Sequence, residues 1–137
     1  MKAIKFNYTL VFLGMILCVL QSCSVQRYKA PDEPVWAIGT LKSSDPSTVR
    51  ISSVDKKTAT GTFHGKAVRE FPDTVKIAPG YHEIIPCFLE RKGIVYGPEL
   101  SFYSQEEQEY IVCYKIKWDK SIRFWVENNG RDITTEN

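Results

Sequence analysis

Tyr110, Val112, Tyr114, Ile116 and Trp118 place an apolar side chain at every second position, with Lys115 and Lys117 on the alternate face. Side chains of an extended chain point to opposite faces in turn, so a period of two predicts a half-buried antiparallel strand and excludes a helix, whose repeat is near 3.6. Residues 122–127 repeat the pattern: Ile122, Phe124 and Val126 alternate with Arg123, Trp125 and Glu127, and Asp119-Lys120-Ser121 supplies a hairpin turn between the two runs. Such a hairpin is marginal alone in water, and its apolar face requires a second layer.

The chain upstream provides one. Short β-rich runs are expected at 35–41, 48–54, 59–64, 74–77, 81–91 (interrupted by Pro86) and 100–103, with a last short strand near Ile133. Turn residues separate them: Ser43-Ser44-Asp45-Pro46, Asp55-Lys56-Lys57, Pro79-Gly80, the acidic stretch 105–109 and Asn128-Asn129-Gly130. Beyond one possible turn at 104–108, no helical period is visible after residue 34. Seven or eight strands spaced near ten residues apart predict an all-β fold, an antiparallel β-sandwich over residues 35–137.

The first 22 residues have a different composition. Lys2 and Lys5 precede an unbroken apolar run at 10–20, closed by Gln21 and Ser22. This is the arrangement of a secretory signal. Its 11 apolar residues span about 16 Å as a helix, against a hydrocarbon core of about 30 Å. The junction Leu20-Gln21-Ser22-Cys23 resembles the lipobox of bacterial lipoproteins. That resemblance covers the first 24 residues and implies cleavage after Ser22, a diacylglyceryl thioether on Cys23 and an acylated new N-terminus. A thiol supplies the nucleophile this chemistry needs. Ser24, where lipoproteins retained in the inner membrane commonly carry Asp, implies an outer-membrane address facing the periplasm. Two or three acyl chains make a stable anchor without a span. Residues 23–34, polar and bracketed by Pro31 and Pro34, read as a lipidated N-terminus and tether reaching nearly 40 Å at about 3.5 Å per residue.

Removing 22 residues from 137 leaves 115, enough for one small core. Of 18 basic side chains, two lie in the signal, so the mature domain carries 16 basic and 16 acidic groups and is formally neutral. That balance gives no general support to nucleic-acid binding or to a polybasic grip on anionic lipid. A content of 43% hydrophobic residues excludes a disordered chain.

A second resemblance concerns the sandwich. Val75-Lys76-Ile77-Ala78-Pro79-Gly80-Tyr81-His82-Glu83-Ile84, followed later by Gln108-Glu109-Tyr110 and Phe124-Trp125-Val126, is similar to the strand and turn order of small envelope lipoproteins with a transthyretin-like or PEGA-like fold. It spans roughly residues 48–133 and implies a fold, with no activity attached.

Of four cysteines, Cys18 goes with the signal and Cys23 to lipid, leaving Cys87 and Cys113. An even remainder in an exported domain predicts one disulfide between them, set against two unpaired core thiols. Cys113 lies opposite the apolar face of its strand, which would put such a bond on an outer sheet face.

No catalytic or metal-binding pattern emerges. His64 and His82 each stand alone, without the short ligand spacing of a zinc site. Nucleophile-elbow and phosphate-loop motifs are absent, and Glu106, Glu107 and Glu109 read as a solvated turn. No cofactor, metal or nucleic acid is expected. Trp125, between Arg123 and Glu127 on the face opposite Phe124, and the apolar segment Ile94, Val95 and Tyr96 between two glycines are the candidate interaction residues. The segment reads either as an edge strand or as a projecting loop. The functional expectation is a membrane-anchored envelope lipoprotein with a structural or protein-interaction role and no catalysis, its partners being the membrane and another envelope protein. The alternative is an inhibitor or accessory subunit of an envelope hydrolase or secretion apparatus.

Overall fold

A computed structural model describes residues 26–34, 37–68 and 71–135. The expected signal at 1–22, Cys23 and Trp36 lie outside the described residues. The chain is all-β, with two sheets forming a sandwich. Among the described residues there are twelve strands, more than the seven or eight expected, because several are only two to four residues long. They are β1 (Gly39–Ser43), β2 (Val49–Val54), β3 (Lys57–Thr58), β4 (Gly61–Phe63), β5 (Lys66–Val68), β6 (Thr74–Ile77), β7 (Gly80–Glu90), β8 (Gly93–Tyr96), β9 (Leu100–Ser104), β10 (Glu109–Ile116), β11 (Ile122–Asn128) and β12 (Arg131–Asp132).

The larger sheet runs β12-β11-β10-β1-β6-β4-β5, and the smaller runs β3-β2-β7-β8, with β9 also paired to β7. The pairings are antiparallel except at the centre of the larger sheet, where β1 and β10 are parallel, Thr40 opposite Glu109 and Ser43 opposite Val112. Parallel neighbours need a long crossover. Here the crossover includes the whole of the smaller sheet, so no local signal announces the pairing.

Alternation fills the core from both layers. Leu41, Val75, Ile77, Tyr110, Val112, Phe124 and Val126 face Val49, Ile51, Val54, Ile84, Leu100 and Phe102. Burying a side chain of this size stabilises the fold by about 1.5–3 kcal/mol. Pro86 sits in the middle of the 11-residue β7, where a missing N–H would normally break the ladder. The fold accommodates it at a double irregularity: β2 shifts register between Ile51 and Ser53 opposite it, and on its other side β8 and β9 are interrupted. Gly97 closes that interruption by donating to the Pro86 carbonyl at 2.8 Å. A Cβ there would meet the Phe124 ring at 2.8 Å, so only glycine fits.

The stretch read as a tether departs from expectation. The Gln26 carbonyl accepts from Thr58 N at 3.1 Å, Tyr28 N donates to Thr58 O at 2.8 Å, and Arg27 forms a parallel bridge with Thr58. Thr60 Oγ1 also donates to the Tyr28 carbonyl. Tyr28 is buried in the core and crosses to the other layer, its hydroxyl donating to Lys76 O of β6 at 2.9 Å. One aromatic side chain thus closes the seam between the two sheets beside β3. Burial raises the Tyr28 phenol to about 12, with the Asp55 charge adding to the shift.

The expected disulfide is absent: Cys87 and Cys113 are both free thiols. Cys87, on β7 of the smaller sheet, lies opposite Arg50 and Tyr96, on the face away from Ile84 and Phe88. Cys113, on β10 of the larger sheet, lies opposite Trp125, on the face away from Val112 and Tyr114. The two therefore stand on the outer faces of different layers. Sheets in a sandwich lie about 10 Å apart, beyond the Cα separation of about 7 Å that a disulfide tolerates.

Candidate functional site

Five places carry side chains with chemical or binding potential. The first is His82. Its Nδ1 contacts Asp55 Oδ2 at 2.8 Å and its Nε2 contacts Ala78 O at 2.6 Å. Asp55 also accepts from Glu83 N at 3.0 Å. Both ring nitrogens are thus occupied in pinning the β2–β3 turn to the start of β7. The ring is buried, leaving no free lone pair aimed at a cleft. His64 forms the β4–β5 turn at φ 48°, its N–H donating to Asp73 Oδ2 at 3.0 Å. The two histidines are not brought together. Among the described residues, no three His, Cys, Asp or Glu side chains converge on a cation position.

The thiols come second. Burial raises Cys87 to about 11, against a smaller opposing effect of the Arg50 backbone and charge. Burial, reinforced by Glu127 and Asp132, raises Cys113 to about 11. A thiol held this far above neutral pH is a poor nucleophile.

Third, Trp125 stands between Arg123 and Glu127 on the outer face of the larger sheet. Its indole Nε1 donates to Glu127 Oε1 at 2.9 Å, and the Arg123 guanidinium lies 5.1 Å from the ring centre. Arg123 in turn pairs with Asp132 at 3.2 Å. These neighbours leave Trp125 half-buried, a ring already engaged on its own sheet.

Fourth, residues 93–96 form β8, an edge strand paired to β7, so the loop reading of this segment is set aside. Ile94, Val95 and Tyr96 are all exposed. At the other end of β7, on the outer face of the same sheet, Tyr81 and Tyr103 pair across β7 and β9 with ring centres 5.2 Å apart. Most edges of this kind are blunted by charge or coverage. Here β9 is covered in part by Thr135, which bridges Ser101, whereas β8 has a second partner nowhere among the described residues.

The fifth place is the β10–β11 hairpin beyond the sandwich. β1 ends opposite Val112, and from Cys113 onward β10 pairs only with β11. Phe88 packs against Tyr114, its ring 5.5 Å away, and Ile122, the partner of Ile116, is the last residue of the hairpin packed against the core. The end of the strand and the turn after it stand in solvent: Ile116 is 54% exposed and Trp118 is 97% exposed. The period-two reading carries the strand to Trp118, whereas β10 ends at Ile116 and Trp118 falls in the turn bounded by Lys117 and Lys120. Missing from the sequence is the point at which strand gives way to turn, two residues before the expected end.

The tip of this arm is set by its own bonds. Lys117 N donates to Ser121 O at 2.8 Å, Lys120 N donates to Lys117 O at 2.9 Å, and Ser121 Oγ and N donate to Asp119 Oδ1 at 2.6 and 3.0 Å. Those hydroxyl and amide donors hold the Asp119 carboxyl below its ordinary range. The result is a preformed turn presenting an indole flanked by Lys115, Lys117 and Lys120, with Asp119 the one acid between 115 and 123. Preorganisation of this kind lowers the entropic cost of binding.

In comparisons with known proteins, the chain matches no family model, no curated protein and no solved structure.

Proposed function

We propose that the protein is a membrane-anchored envelope lipoprotein that acts by contact and not by catalysis, holding its β-sandwich at the bilayer and offering the β10–β11 arm to another envelope protein. The observation that carries this reading is Trp118, a 97% exposed indole at the end of a hydrogen-bonded turn. Exposed aromatic side chains at preformed positions are the usual anchors of protein interfaces. The lysines around it suit a partner with an acidic rim and an apolar pocket. The anchor rests on the lipobox-like Leu20-Gln21-Ser22-Cys23, with an outer-membrane, periplasm-facing address. No helix among the described residues is long and apolar enough to cross a membrane.

The same arm favours the second reading, an inhibitor or accessory subunit. A projecting hairpin can enter a cleft in a hydrolase or secretion apparatus, a part first expected of residues 94–96. Two experiments test the proposal. Cys23→Ala should abolish fatty-acid labelling and release the protein from the membrane fraction; retained labelling would refute the anchor. A photo-crosslinker at position 118 should give one discrete adduct in intact cells, stronger than that from position 95 or 125. Equal or absent adducts at all three would remove the contact role, and a hydrolase or secretion component in the adduct would select the second reading.

A further inference from the structure

The docked N-terminal segment limits how the domain can sit on a membrane. Gln26 is fixed to Thr58, and Tyr28 to both Thr58 and Lys76. Only Ser24 and Val25 separate Gln26 from Cys23. Three Cα steps reach about 10 Å at most, against the nearly 40 Å expected of a free tether. An acylated Cys23 would therefore keep the β2–β3 corner within about one Debye length of the headgroups. Charges that salt would screen on a long tether act here at close range.

That corner is basic. Arg27, Lys29 and Lys57 line, with Gln26, Tyr28 and Asp55, a concavity of about 460 Å³. Lys56 stands beside it at the tip of the β2–β3 turn with its side chain 76% exposed. The turn itself strengthens the case. Asp55 and Lys56 both have positive φ, 50° and 64°, the signature of a type I′ hairpin whose second position favours glycine. A lysine there costs backbone strain, and strain of this kind tends to mark positions retained for use.

Of the nearby acids, Asp55 and Glu83 are engaged within the fold. Asp55 is turned onto His82 and Glu83 N, and Glu83 reaches Lys56 at 4.0 Å. Asp32 and Glu33 follow on the N-terminal segment, and Glu106 and Glu107 sit in the turn after β9, three strands across the smaller sheet from β3. Resting on the lipid-anchor reading, we infer that the corner formed by Arg27, Lys29, Lys56 and Lys57 is a docking face for anionic phospholipid headgroups. This fixes the orientation of the domain, and because the β10–β11 turn closes the opposite end of its strands from the β2–β3 turn, Trp118 is carried away from the bilayer.

Lysine footprinting of the full chain, exported by a bacterial host and purified with its lipid, tests this. The protein is placed in detergent micelles, in vesicles of phosphatidylcholine alone, and in vesicles of phosphatidylethanolamine with phosphatidylglycerol, then treated with a water-soluble acylating reagent and read by peptide mass spectrometry. Lys29, Lys56 and Lys57 should label about fivefold more slowly on the anionic vesicles, while Lys117 and Lys120 keep their micelle rate. Lys56→Glu with Lys57→Glu should return Lys29 to its micelle rate, and Lys117→Glu with Lys120→Glu should leave Lys29 protected. The N-terminal peptide mass in the same run reports Cys23. An acylated Cys23 with equal labelling on every surface, or with Lys117 and Lys120 protected instead, overturns the docking face and leaves the anchor standing. An unacylated Cys23 overturns the anchor and the docking face with it.

Discussion

The two ends of the sandwich each reverse what their sequence patterns suggest. At the β2–β3 corner, a polar stretch with no apolar period buries Tyr28, which ties Thr58 to Lys76 across the two layers. At the β10–β11 tip, a run with strong alternation leaves Trp118 in solvent. Burial is therefore decided by what lies across from a side chain, and the period of a strand records only which face it occupies. A single tyrosine among polar residues can be core when it closes a seam, and a tryptophan in phase with the core by sequence can be surface when the strand has already given way to a turn.

The sharpest way to break this contrast is Tyr28→Ala. Losing a buried ring and reopening the seam should destabilise the domain by about 3–5 kcal/mol, measured as a lower urea midpoint. A change below about 1 kcal/mol would mean that the N-terminal segment is a tether after all.

A smaller effect separates the two ends by pH. The Tyr28 phenol rises from 10.0 to about 12 and the two thiols from 9.0 to about 11. Above pH 9 the unfolded chain releases these protons before the native one, so it binds fewer, and stability falls as pH rises toward 12. For Asp119 the sign reverses. Its native carboxyl is lowered, so its contribution is present above the ordinary carboxylate range and is lost as pH falls through its native value. Thermal melts across pH should thus show alkaline loss from the core, reduced by Cys87→Ala. At acid pH, amide exchange at Ser121 should rise while the core stays protected.

The smallest effect is expected at the arm. Trp118→Ala should change stability by less than about 0.5 kcal/mol, because the indole packs on nothing. With the crosslinker moved to position 120, the same change should remove the in-cell adduct, and a loss of stability of several kcal/mol would instead return Trp118 to the core.

Much of the sandwich was legible in the chain. The β10–β11 hairpin, the Asn129-Gly130 turn with φ 50° and 76°, and the break at Gly80 all follow from local preference. The first described strand begins at Gly39, with residues 37 and 38 of the expected run outside it, and β8 emerges as an edge strand between glycines. What could not be read depended on distant partners. Cys87 and Cys113 both fall in strands, as expected, but sheet membership separates them. Ile94, Val95 and Tyr96 are exposed as a contact segment requires, whereas Trp125 is covered by Arg123 and Glu127. The lone Tyr28 amid polar residues was the one available hint of the docked segment.

The parallel pairing at the centre of the larger sheet also dictates an order of events. Thr40 finds its neighbour Glu109 only after nearly the whole polypeptide is available. Closing so long a loop is slow, and little is gained before it closes. A chain threaded through a channel from its amino end would therefore stay unknotted and extended until its last third emerged, and any fragment ending before β10 would expose β1 as a raw seam inviting aggregation.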